Sequence, residues 1–101
     1  MKSFELFRFY HDTLMNKRDD LRTAEEEADE ADRLAWRMYD NLDREIYEAN
    51  PDHYDKIVEE TSERLKHLRE QLASIEDAIT HAIRLENELE FLEDEGVLAR
   101  D

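Results

Sequence analysis

Four histidines and a large excess of carboxylates are the side chains of this chain with the reach to do chemistry. Glu63 with His67, and Asp77 with His81, are each spaced i, i+4, the step that sets two ligands on one helix face, as Zn²⁺ or Ni²⁺ can use. Carboxylate-bridged di-iron bundles use inward Glu together with Glu-x-x-His at i, i+3 instead, so these pairs are one residue too long for that chemistry. They also fall on the side of their helix away from its apolar seam. Glu63, His67, Asp77 and His81 are therefore weak metal candidates, and solvated surface residues are the plainer expectation. A metal-binding, ferritin-like bundle built between two copies is a third-ranked alternative.

The second group is the acidic run Asp19, Asp20, Glu25, Glu26, Glu27, Asp29, Glu30 and Asp32, interrupted by Arg22. Carboxylates fixed along a rigid helix can imitate the phosphates of a duplex and occupy the basic groove of a DNA- or RNA-binding protein. They can equally be a solvated face, the usual meaning of a charge run. Arg33, Arg37, Arg44, Arg64 and Arg69 interrupt the acidic surface. No Ser/His/Asp set, glycine-rich phosphate loop or basic stripe occurs, and the absence of Cys removes thiolate chemistry. The expectation is a protein without catalytic activity and without a cofactor.

Composition says which elements carry these side chains. Charged residues make up 43% of the 101 residues, and the chain holds one Gly and one Pro, the signature of long helices with few turns. A net charge of −15 disfavours direct contact with nucleic acid or an anionic membrane and leaves basic proteins as partners. No apolar run approaches the ~18 residues of a membrane span, and Glu5 and Arg8 interrupt the apolar start of the chain. A cytoplasmic protein is expected.

Two seams organise the chain. Val58, Thr61, Leu65, Leu68, Leu72, Ile75, Ile79 and Ala82 alternate steps of three and four, as in a coiled coil. Leu85, Leu89 and Leu92 continue them after a stammer, because Glu86 occupies the next expected position. The first half offers Phe7, Tyr10 or His11, Leu14, Leu21, Ala24, Ala28, Ala31, Ala35, Met38, Leu42 and Ile46. Asn50-Pro51 is the strong break, and Gly96 is placed to end the second helix. The expected fold is all-α: one domain, residues 1–101, as a long antiparallel helical hairpin. Its helices run over about 3–49, from a cap at Ser3, and about 51–94, with a tail over 95–101. Thr23-Ala24-Glu25-Glu26 resembles a capping box and marks a candidate break near 19–23.

A hairpin about Asn50 pairs residues whose numbers add to about 100. Ala24, Ala28 and Ala31 then face Ile75, Leu72 and Leu68, and Phe4, Phe7 and Tyr10 meet Leu89, Phe91 and Leu92, with Val97 and Leu98 beyond. A two-helix hairpin buries one stripe per helix and is marginal alone. Leu34, Trp36, Tyr39, Ile46, Tyr47 and Ile57 flank the seams, as do Ala78, Ile83 and Leu85. Leu6 and Phe9 add apolar surface at the aromatic start. A homodimeric four-helix bundle would cover such surface, and so would another protein. The function expected is protein–protein interaction, as an adaptor, assembly factor or inhibitor, with nucleic-acid mimicry as the runner-up.

Overall fold

A computed structural model describes residues 3–96, with side chains from Glu5 onward. Ser3 as a cap, the side chain of Phe4, Val97 and Leu98 lie outside that description. Three helices follow in order: α1 Ser3–Asp40, α2 Arg44–Ala49 and α3 Pro51–Asp94. They build two compact units. One combines α1 up to Asp20 with α3 from Leu72 onward, and the other is Leu21–Gln71. In each unit α1 and α3 pack as antiparallel partners, so the fold is the all-α helical hairpin that the seams imply.

Pro51 opens α3, where its missing N–H costs nothing. At the other end Gly96 takes φ 72, and the Gly96 and Glu95 N–H groups donate to the Glu93 and Phe91 carbonyls at 2.9 and 3.0 Å. This left-handed ending is open to Gly at no steric cost. The seam of α3 is present throughout. Val58, Leu65, Ile79 and Ala82 are buried, and Thr61, Leu68, Leu72 and Ile75 are half-buried.

As the continuous seam implies, α1 passes through residues 19–23 without a break, because Leu14, Leu21, Ala28 and Ala35 stay in phase at seven-residue intervals and are all buried. It departs from expectation in two ways. It stops at Asp40 instead of running to 49. The Asn41 backbone N–H and side-chain amide both donate to the Arg37 carbonyl, at 3.1 and 2.9 Å. The Leu42 N–H tightens the turn onto the Tyr39 carbonyl at 3.2 Å. Asp43 is extended (φ −63, ψ 136) and its carbonyl accepts the Tyr47 N–H at 2.9 Å, starting the six-residue α2. Short polar side chains that bond locally to the backbone break helices without any Gly or Pro.

The second departure is register. Because residues 41–50 form a helical corner, the pairing centre moves toward the N-terminus. Asp32 meets Thr61 and Ser62, and Tyr39 meets Asp55, so each α1 residue faces an α3 residue nearly two helical turns earlier than numbers adding to 100 would give. Ala31 is consequently exposed and lies beside Thr61 and Arg64, not opposite Leu68. The face of α1 that is turned inward runs Phe7, His11, Leu14, Arg18 in one unit. In the other it runs Leu21, Glu25, Ala28, Asp32, Ala35 and Tyr39, with half-buried Leu42 just beyond the helix end. The apolar alternatives Ala31 and Met38 are exposed, and Ala24 is half-buried. Alternate layers of the α1 seam are thus polar.

Candidate interaction surface

In the Leu21–Gln71 unit those polar layers are bonded across the hairpin. Arg69 Nε and an Nη donate to Glu25 and Asp29 carboxylates at 3.1 and 3.3 Å. One oxygen of Asp32 accepts the Thr61 and Ser62 hydroxyls at 2.9 and 2.8 Å. Trp36 Nε1 donates to Ser62 Oγ at 3.2 Å, and the Tyr39 and Tyr47 hydroxyls donate to Asp55 at 2.9 and 3.0 Å. Asp55, Ser62 and Arg69 recur every seven residues on α3, as Tyr39, Asp32 and Glu25 do in reverse on α1. Such pairs add little to stability where solvent reaches them. They do fix which residue faces which, because a slip would strand each carboxylate away from its donors.

The aromatic side chains continue this ladder. Trp36 meets Tyr39 edge-on with centroids 5.7 Å apart, and Tyr39 meets Tyr47 likewise at 5.7 Å. Hydrogen bonding with Tyr39 and then with Asp55 raises the Tyr47 hydroxyl well above the ordinary phenol range, since the carboxylate accepts only from the protonated form. Of the residues expected to form a docking surface, Tyr39, Tyr47 and Ile57 are half-buried. Leu34, Trp36 and Ile46 are 52%, 43% and 50% exposed.

The other unit is wired differently. Leu14, Ile79 and Ala82 form its core, with Phe7, Met15, Ile75 and Ala78 packed against them. His11 Nδ1 lies 3.0 Å from Glu86 Oε2, and Arg8 Nε lies 3.9 Å from Oε1 of the same carboxylate. The inward member of the Tyr10/His11 alternative is therefore His11. Glu86 stays half-buried beside the shifted residues Leu85 and Leu89, because His11 gives it a partner. The expected closing of Tyr10 on Phe91 and Leu92 does not occur. Phe7 joins the core, while Tyr10, Phe91 and Leu92 are 54%, 62% and 36% exposed.

Two open grooves result in this unit. One lies on α1, lined by Leu6, Phe7, Phe9, Tyr10 and Thr13, where Leu6 and Phe9 are 55% and 61% exposed. The other runs along α3 from Thr80 to Leu92, walled by Ile83, Phe91 and Leu92. Exposed large apolar side chains grouped in this way mark contact surfaces.

The remaining candidates are dispersed or engaged. Glu63, His67, Asp77 and His81 are all exposed, and His67 contacts Gln71 at 3.3 Å. Among the described residues no group of three His, Cys, Asp or Glu side chains is placed to hold a metal ion. In the acidic run, Asp19 pairs with Arg18, Asp29 with Arg33 and Arg69, and Glu25 and Asp32 belong to the ladder. Asp20, Glu26, Glu27 and Glu30 are exposed. Among the described residues no helix is long and apolar enough to cross a membrane. No protein-family model, curated protein or solved structure matches this chain.

Proposed function

We propose that this chain is a non-catalytic helical docking protein that acts by binding other proteins through its exposed apolar surface, as an adaptor, assembly factor or inhibitor. The observation that carries the reading is the exposure of Leu6, Phe9, Tyr10, Ile83 and Phe91, each more than two-fifths exposed and grouped into two grooves of one unit. A surface serving only solubility would hold the charges that fill the rest of the chain. Photo-crosslinkers placed at Phe9 and Phe91, and at Glu30 as a control, test it in extract of the source cells. Cross-links to one partner, identified by mass spectrometry, from the apolar positions and not from Glu30 are expected. Equal labelling from all three positions, or none, contradicts it.

Self-association is part of the proposal. Ala31, Leu34 and Met38 lie on one exposed stripe of α1 in the Leu21–Gln71 unit. A small residue beside two large ones suits close approach of a second pair of helices. Light scattering on Leu34→Glu checks this. A dimer reduced to a 12.2 kDa monomer is expected, and a wild-type monomer at working concentration overturns it. Nucleic-acid mimicry remains the runner-up, supported by exposed Asp20, Glu26, Glu27 and Glu30. It predicts that duplex DNA competes with the partner and that moderate salt abolishes binding.

A further inference from the structure

We infer that the groove along α3 between Thr80 and Leu92 takes a basic amphipathic helix of a partner protein. This deepens the docking reading and rests on it. Thr80, Ile83, Arg84, Asn87, Glu88, Phe91 and Leu92 line the groove, and every one of them is exposed. Thr80, Arg84, Asn87 and Phe91 follow at steps of four, three and four, so the groove is a continuous helix face about three turns in length. Its apolar members Ile83, Phe91 and Leu92 can seat apolar residues that another helix presents at i, i+3, i+4 and i+7.

Charge selects which helix. From Glu86 to Glu95 the chain carries six acids and no base. By helical periodicity Glu88 flanks the Thr80–Phe91 line on one side, with Glu90 and Asp94 on the other. Arg84 is the one cation of the lining, on the half of the face nearer Thr80 and about two turns from Phe91. An incoming helix therefore meets the apolar side chains of Ile83, Phe91 and Leu92, set among Thr80, Arg84 and Asn87 and bordered by acids, a fit for Leu or Phe flanked by Lys and Arg. A second copy is disfavoured in this groove, because it would bring the same acids against each other on a chain whose net charge is −15. Glu86 itself is held by His11, which leaves the rim to Glu88, Glu90 and Asp94.

The test is fluorescence anisotropy with the full chain and three labelled peptides of about 18 residues, long enough to span the groove as helices. The first places Leu at three- and four-residue steps with Lys elsewhere, the second scrambles the same residues, and the third replaces Lys by Glu. The first peptide is expected to bind at least about tenfold more tightly than either of the others. Ile83→Asp and Phe91→Ser are each expected to weaken it by about tenfold or more, with helicity by circular dichroism unchanged from the wild type. Phe91, at 62% exposure, is the variant to rely on if Ile83→Asp loses helicity. Equal binding of the scrambled peptide reduces the effect to bulk charge and overturns the inference. Equal binding of the Glu peptide does so as well, and so does unchanged affinity in Phe91→Ser. A dimer that Phe91→Ser dissociates would make a second copy the occupant and overturn it too. If the peptide fails while crosslinkers at Phe9 still find one partner, only this inference falls. If both fail, the docking reading falls with it.

Discussion

The two units use the same pair of antiparallel helices for different ends. Between Leu21 and Gln71 the helices are tied by Glu25 and Asp29 to Arg69, Asp32 to Thr61 and Ser62, and Tyr39 and Tyr47 to Asp55. In the other unit His11 bonds Glu86 across the helices, assisted by Arg8, and Phe9, Tyr10 and Phe91 face outward. A polar ladder sets register cheaply in area, since Asp, Ser and Thr cover little surface. Apolar side chains left outside a thin core carry free energy that a partner can release. Register is thus fixed by polar bonds in one unit, and the exposed apolar surface of the proposed docking function lies in the other.

The largest expected effects test whether the units are held independently. Leu65, 5% exposed, and Leu14, 8% exposed, are buried in different units. Leu65→Ala or Leu14→Ala is expected to cost about 2–4 kcal/mol in denaturant unfolding. The comparison sharpens if Leu14→Ala lowers amide protection over 72–94 and leaves 44–71 unchanged. A uniform loss would merge the two units into one cooperative block.

Next in size is the ladder. Asp32→Ala is expected to destabilise by about 1–2 kcal/mol, because Thr61 keeps its bond to the Val58 carbonyl and Ser62 keeps Trp36. Asp20→Ala, at an exposed acid outside the ladder, is expected to change stability by less than about 0.5 kcal/mol. Urea midpoints that fall together for the two variants would remove the distinction between ladder and surface acids.

A subtler effect is alkaline. The Tyr47 hydroxyl is raised in the folded protein from its ordinary value of 10.0, so the unfolded chain releases that proton first. Stability from this bond is complete below pH 10 and is lost as pH rises above it. Thermal unfolding of Tyr47→Phe should show a shallower alkaline decline than the wild type. Parallel profiles would show that the hydroxyl is not held. Smallest of all, Phe9→Ser should leave stability within about 0.5 kcal/mol while weakening partner capture. A large stability loss would place Phe9 in the core.

How much of this the amino-acid sequence discloses differs between the two helices. All eight α3 seam residues from Val58 to Ala82 turn inward, because each is apolar or Thr and the repeat is uninterrupted. On α1 an apolar reading follows Ala24, Ala31 and Met38, whereas Glu25, Asp32 and Tyr39 turn inward. The seven-residue recurrence of polar types was present in both helices, but it acquires meaning only once the register is known. That register depended on Asn41 and Asp43, whose local backbone bonding makes a corner that neither Gly nor Pro announces. Leu6, Phe9, Leu34, Trp36 and Ile46 were legible as surface because they flank the seams. Phe91 and Leu92 were not, since the register that decides their exposure was not known from the sequence.

The division of labour is tested most directly by amide hydrogen exchange of the full chain, with and without the Leu–Lys helical peptide. The account predicts the slowest free-protein amides within 21–71 and new protection on binding confined to 80–92. New protection confined to 21–71, or spread evenly along the chain, would contradict it.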